Sequence, residues 1–230
     1  MSGQGEYNVD IVMCIDATGS MAPIINKVKE NALTFYSKFD EAMEDQDKWV
    51  DNLRVKVIVF KDYICDTNPM VESRFFTLPK DSADFENFVN KIEPTGGGDT
   101  PENSLEAISL ALKSDWTTNG GRFRRHVIVV FTDAPALPLQ ERRDCPGYPA
   151  GMPKNLAELG DWWQYDEQEG LPFDGTYNSY AGRLIVFAPE ASPWTDMKGW
   201  SRYWYMKSKA GTGLAELDMQ AVLALLAGSV

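Results

Sequence analysis

Residues 16–20 read Asp-Ala-Thr-Gly-Ser and follow directly on the apolar run VDIVMCI (9–15). A buried strand that ends in one carboxylate and two hydroxyls on alternate positions offers three oxygen donors to whatever lies above it. Two further segments carry donors of the same kind. The glycine-rich turn TGGGDTPEN (95–103) holds Thr100 with Asp99 beside it, and in FTDAPA (131–136) Asp133 ends a strand as Asp16 does. Pooled, they supply two carboxylates (Asp16 and Asp133) and three hydroxyls (Thr18, Ser20 and Thr100), with no imidazole or thiolate among them. Hard ligands of this type select Mg²⁺, Mn²⁺ or Ca²⁺ over zinc or copper. Two formal negatives balance one dication, while neutral hydroxyls leave it electrophilic, so the ion would accept one more carboxylate from outside.

For three loops to meet, the elements before them must end on one side of a sheet. VDIVMCI (9–15), LRVKVIVF (53–60), which partly alternates, HVIVVFT (126–132) and RLIVFA (183–188) are near-continuous, β-branched apolar runs, the pattern of strands buried on both faces. RFFTL (74–78) reads as a short edge strand. Between them, residues 22–43 carry Ile24, Ile25, Val28, Leu33, Phe35, Tyr36 and Phe39 mostly at spacings of three and four, which predicts one helical stripe. The same pattern predicts helices over 82–92, 101–114 and 218–228. In the second of these, Pro101 suits the first turn, and Asp99 with Glu102 resembles a capping box. Alternating strands and helices predict an α/β architecture: a Rossmann-like, open, mostly parallel sheet with helices on both faces. Ligands of such sheets sit at the carboxyl ends of the strands, where the strand order reverses.

The set Asp16-Ala-Thr18-Gly-Ser20, Thr100 in GGGDTPE and Asp133 in VVFTDAP resembles the metal-ion-dependent adhesion site of the von Willebrand factor A domain family. The likeness is clear over residues 8–133 and continues beyond them in the order of elements. It implies a six-stranded sheet of order 3-2-1-4-5-6 with strand three antiparallel. It further implies a metal on the upper edge, with Mg²⁺ expected and Mn²⁺ or Ca²⁺ as alternatives. Asp16, Thr18, Ser20, Thr100 and Asp133 are then the ligands, the aspartates acting directly or through water. The ion would bridge to an acidic residue of a protein partner. The wording DATGSM and GGGDTPE is most like intracellular members, including those attached to atypical kinases, so kinase- or ATPase-linked assemblies are among the expected settings.

The 230 residues suit one domain, 1–230, with an insertion at about 134–180. That segment is rich in Pro, Gly and aromatics and is far longer than the usual connection of about 2–6 residues. It either extends or covers the metal face, and a short helix is expected near 155–166. Its Trp162, Trp163 and Tyr165 read either as a partner-binding anchor or as packing of that helix onto the domain. Trp200, Tyr203 and Trp204 stand at helical spacing and mark core. Asp62 either stands in a second sphere about the ion or is a solvated loop acid.

With 34 acids against 22 bases, the net charge of −12 disfavours phosphate backbones and anionic membranes. The basic stretch RFRRH (122–126) reads as the solvated start of a strand. No apolar run nears the roughly 18 residues of a membrane span. MSGQGEYN is unlike a secretory signal, so a soluble, cytoplasmic chain is expected. Three scattered cysteines (Cys14, Cys65 and Cys145) argue against disulfides or a thiolate zinc site, with Cys14 a core residue. His126 reads as structural.

Two functions follow. The first is a non-catalytic, metal-dependent protein-binding module. The alternative is a Mg²⁺-dependent phosphoryl-transfer hydrolase of haloacid-dehalogenase type, which also ends strand one in Asp. That chemistry requires a second acid two positions later, where this chain has Thr18. A phosphate-cradling role for Gly96–Gly98 lacks both the Walker lysine and the GxGxxG spacing.

Overall fold

The computed structural model describes residues 6–64, 66–96, 101–165 and 170–230. Its centre is one sheet. Strands β1 (Tyr7–Asp16), β2 (Val50–Phe60), β3 (Met70–Glu72), β4 (Phe76–Leu78), β5 (Phe123–Phe131), β6 (Gly182–Pro189) and β7 (Tyr203–Ser208) lie in the order β3-β2-β1-β5-β6-β7. β1, β2, β5, β6 and β7 pair in parallel, while β3 and β4 each pair antiparallel with β2. This is the expected order, with the short β4 as an additional strand on the β3 side. The order reverses between β1 and β5, and both of these strands end at the same edge in an aspartate loop.

Both faces of β1 are covered. Val9, Ile11, Met13 and Ile15 point into a core formed with α1 (Ala22–Asn31), α2 (Phe35–Glu44), α3 (Ser82–Asn90) and α6 (Met219–Ser229). Val12 and Cys14 point into a second core with α4 (Ser104–Leu112) and α5 (Leu156–Trp163). Period-two alternation into two apolar layers explains why the strand reads as a continuous apolar run. Asp10 is the exception on the second face. Arg54 grips it with two hydrogen bonds of 2.8 and 2.6 Å, and the Thr117 N–H adds a third at 2.6 Å, which satisfies the buried carboxylate.

Several expectations are corrected. The stripe over 22–43 is two helices, broken by a turn at 32–34 that leaves Leu33 55% exposed. The turn brings Phe35, Phe39 and Met43, spaced four apart, onto the core. α4 begins at Ser104 rather than 101. Residues 101–103 instead join the loop after β5, with the Glu102 N–H on the Pro135 carbonyl at 2.9 Å. Asp99, the other half of the expected capping box, lies outside the described residues. Tyr203 and Trp204 belong to strand β7, not a helix. Trp204 packs on the first core while Tyr203 and Tyr205 pack on the second, the alternation of a strand.

The described part of the 134–180 segment forms a layer against α4. Trp162 and Trp163 are buried with Tyr177 and Trp116, and the Tyr165 hydroxyl donates to the Tyr177 carbonyl at 2.7 Å. These aromatics are packing rather than an exposed anchor. The first stretch of the segment turns back over α4, where the Tyr148 hydroxyl donates to Glu106 Oε1 at 2.9 Å. His126 is buried, bonded through Nε2 to the Thr117 carbonyl and through Nδ1 to the Asn178 N–H, a structural role. Cys14 is fully buried in the second core. No helix among the described residues is long and apolar enough to cross a membrane.

Candidate metal centre

β1 and β5 are paired up to Ile15 and Phe131, so Asp16 and the Thr132-Asp133 pair emerge side by side from the sheet. Two hydrogen bonds cross between the loops. Thr132 Oγ1 donates to Asp16 Oδ2 at 2.8 Å, and Ser20 Oγ donates to Asp133 Oδ1 at 3.1 Å. Each loop thus supplies a hydroxyl to the other loop's carboxylate.

Within the first loop, Asp16 Oδ1 accepts both the Thr18 N–H at 3.0 Å and the Thr18 hydroxyl at 2.7 Å. This is the local turn that a short acidic side chain stabilises at a strand end. A 3-10 turn at Gly19–Met21 then leads into α1, where Pro23 occupies the opening turn. Asp16, Thr18 and Asp133 are buried, whereas Ser20 is exposed and marks the open side of the cluster.

Asp133 is also held from the C-terminal side. The Gly213 N–H donates to Asp133 Oδ2 at 2.7 Å, and the Gly213 carbonyl accepts the Ile24 N–H at 3.1 Å. Gly213 has φ +59°, and a Cβ there would collide with the Ser20 carbonyl oxygen. Only glycine fits where this backbone passes the first loop.

Burial pushes the Asp16 carboxyl up to about 6, opposed by its bonds from Thr18 and Thr132 and reinforced by the charge of Asp133. Two carboxylates held close in a low-dielectric edge repel each other, and a cation between them would relieve that repulsion. Among the described residues no group of three or more His, Cys, Asp or Glu could hold a metal. Any ion bound at this edge would therefore be held by two carboxylates and hydroxyl oxygens, a hard-donor set.

Of the five residues expected from the sequence, the structure brings together Asp16, Thr18, Ser20 and Asp133. Thr100 lies outside the described residues. The flanks of its turn do reach the cluster: the Thr95 N–H donates to the Ala17 carbonyl at 3.1 Å and the Gly19 N–H to the Gly96 carbonyl at 3.3 Å. Asp62 is fully buried rather than solvated. Its Oδ1 accepts the Ile64 N–H at 2.8 Å, and its Oδ2 has no hydrogen-bond partner among the described residues. Sequence reading missed Thr132 and Gly213. The doublet Thr132-Asp133 and the Gly-Thr-Gly stretch at 211–213 were the available signals.

Comparison with known proteins agrees with this architecture. The alpha-protein kinase vwkA of Dictyostelium discoideum is 26% identical over 148 residues, which cover 64% of this chain and 22% of that protein. A solved von Willebrand factor type A structure from Catenulispora acidiphila matches 95% of this chain and 42% of its own at 15% identity, with a TM-score of 0.52. The open-conformation pilus adhesin SpaC of Lactobacillus rhamnosus GG matches 97% and 30%, respectively, at 10% identity and a TM-score of 0.53. This chain thus spans less than half of each of these proteins, and the two solved structures bear on the fold alone. The sequence profile of the von Willebrand factor A domain itself matches residues 10–143, from the middle of β1 to beyond Asp133. With sheet order, strand-end aspartates and profile in agreement, the chain belongs to the von Willebrand factor A domain family.

Proposed function

We propose that this protein is a divalent-cation-dependent protein-recognition module that works without catalysis. The observation that carries the reading is the crossed pair of hydrogen bonds, Thr132 to Asp16 and Ser20 to Asp133, at the switch point of the sheet. Asp16, Thr18, Ser20 and Asp133, with Thr100 from the third loop, would hold the ion. Mg²⁺ is the expected occupant, and Mn²⁺ or Ca²⁺ would be accepted by the same oxygens. When bound, the ion supplies an electrophilic position for a carboxylate of the partner protein. The chain's own contribution is to fix the donors. Asp16 is locked by three hydrogen bonds and Asp133 by two, while exposed Ser20 leaves the solvent side approachable.

The cluster contains no histidine, cysteine or lysine that could move a proton, which supports binding over catalysis. The phosphoryl-transfer alternative finds no support. Position 18 is a threonine bonded to Asp16, and the Asp16 carboxylate is fully buried with both oxygens engaged. A kinase-linked setting in the cytoplasm belongs to the same proposal, supported by the similarity to part of a protein named as an alpha-protein kinase.

Calorimetric titration with MgCl₂, MnCl₂ and CaCl₂ tests the reading. Wild type takes up one ion, and Asp133→Ala loses uptake while keeping its far-UV spectrum. Uptake equal in wild type and Asp133→Ala would overturn the assignment.

A further inference from the structure

A groove of about 330 Å³ opens next to the 16–20 loop, between the end of β2, the edge strand β3 and the C-terminal part of α3. This is near the lower end of ligand-pocket sizes, about 300–1,000 Å³. Val59 and Val71, register partners across β2 and β3, form its floor with Phe88 and Ile92. β3 is the terminal strand of the sheet on this side, and Val71 is 41% exposed. An apolar floor left open at a sheet edge is unusual unless something covers it.

The charged lining of the groove is more basic than the molecule as a whole. Lys61 and Lys91 both line it, against the single acid Glu93. Neither lysine makes an ion pair among the described residues, although Lys61 Nζ donates to Thr95 Oγ1 at 2.8 Å. On a chain of net charge −12, two unpaired ammonium groups at one opening form a local attractor for acidic ligands.

The groove and the metal loop share a wall. Lys61 follows Phe60, whose carbonyl accepts the Ala17 N–H at 2.9 Å, and Thr95 at the groove's end donates its N–H to the Ala17 carbonyl. The Gly19 N–H also donates to the carbonyl of Gly96, the neighbour of Thr95, so the Thr95 side of the groove lies beside the 16–20 loop.

We propose that this groove docks the segment flanking the metal-bound carboxylate of the partner. That segment is an acidic, extended stretch of protein with one apolar side chain within a few residues of its Asp or Glu. The acidic backbone region passes Lys61 and Lys91, and the apolar side chain fills the space between Val59, Val71, Phe88 and Ile92. This inference rests on the metal-dependent reading above and adds the partner's local chemistry to it.

Random peptides displayed on phage, captured by the protein in Mg²⁺ and eluted with EDTA, provide the test. Val71→Arg and Lys91→Glu alter exposed positions outside the ion cluster, and both variants should melt and bind Mg²⁺ as wild type does. The expected result is that eluted peptides share a carboxylate with a nearby apolar residue and bind each variant about tenfold or more weakly. EDTA-eluted peptides that bind both variants as tightly as wild type would overturn the groove and leave the metal reading standing. Peptides retained through EDTA, or no captured peptide at all, would overturn the metal reading and this inference with it.

Discussion

Glu106 gives the fold a pH dependence that can be worked out from its surroundings. It stands in the first turn of α4, fully buried, with Oε1 accepting the Tyr148 hydroxyl and Oε2 without a hydrogen-bond partner among the described residues. Burial pushes its carboxyl from 4.5 up to about 7, despite the opposing hydrogen bonds. An acid whose folded value lies above its unfolded value favours folding when protonated. Its contribution is fully present below about 4.5 and is lost as pH rises through about 7. The difference of about 2.5 units corresponds to about 3 kcal/mol, of which roughly 2–3 kcal/mol falls between pH 5 and pH 8. Glu106→Gln keeps an acceptor for Tyr148 and cannot ionise. Relative to wild type, the variant should therefore gain about 2–3 kcal/mol of stability between pH 5 and pH 8. Urea unfolding of both proteins at the two pH values, without added metal, measures this directly. A stability difference that stays constant across that range would refute the claim that Glu106 is buried near neutrality with a raised pKa.

Two further perturbations probe how the candidate centre is held. Thr132→Val removes the hydroxyl that satisfies Asp16 Oδ2, leaving a buried carboxylate oxygen unpaired, and should cost about 1–3 kcal/mol in chemical denaturation. Unchanged stability would show that this bond does not position Asp16. Gly213→Ala sets a Cβ against the Ser20 carbonyl at a backbone angle suited to glycine, and should lower stability by about 1–3 kcal/mol. It should also weaken Mg²⁺ uptake, because Gly213 anchors Asp133. Wild-type melting and titration in this variant would show that the 211–213 backbone is not coupled to the centre.

The architecture was readable where burial alone decides structure. Strands β1, β5 and β6 lie largely between two apolar layers, so their sequences are near-continuous Val, Ile and Leu runs, whereas β2 is buried on both faces only towards its end. The two aspartate loops were readable because each follows directly on a near-continuous apolar strand. Other features depended on tertiary contacts that leave little local mark. The break at 32–34 contains neither glycine nor proline, and it exists because Phe35, Phe39 and Met43 must face the core at a new angle. β7 imitates a helix because Trp200, Tyr203 and Trp204 happen to be three or four apart, while the aromatic run Tyr203-Trp204-Tyr205 is itself a strand signal. Gly213 was hidden because the partners that require a glycine there, the Asp133 carboxylate and the Ser20 carbonyl, are far from it in sequence. The 134–180 segment looked like an appendage because its apolar residues are spread among Pro and Gly. In space, Trp162, Trp163 and Tyr177 supply much of the layer over α4.

The central claim is that the loops after β1 and β5 grip a single hard dication, and anomalous diffraction from crystals soaked in MnCl₂ tests it most directly. The account predicts one strong anomalous peak within coordination distance of the Ser20 hydroxyl and beside the Asp16 and Asp133 carboxylates. No peak at this edge of the sheet, or a peak elsewhere on the molecule with these side chains still bonded only to one another, would contradict it.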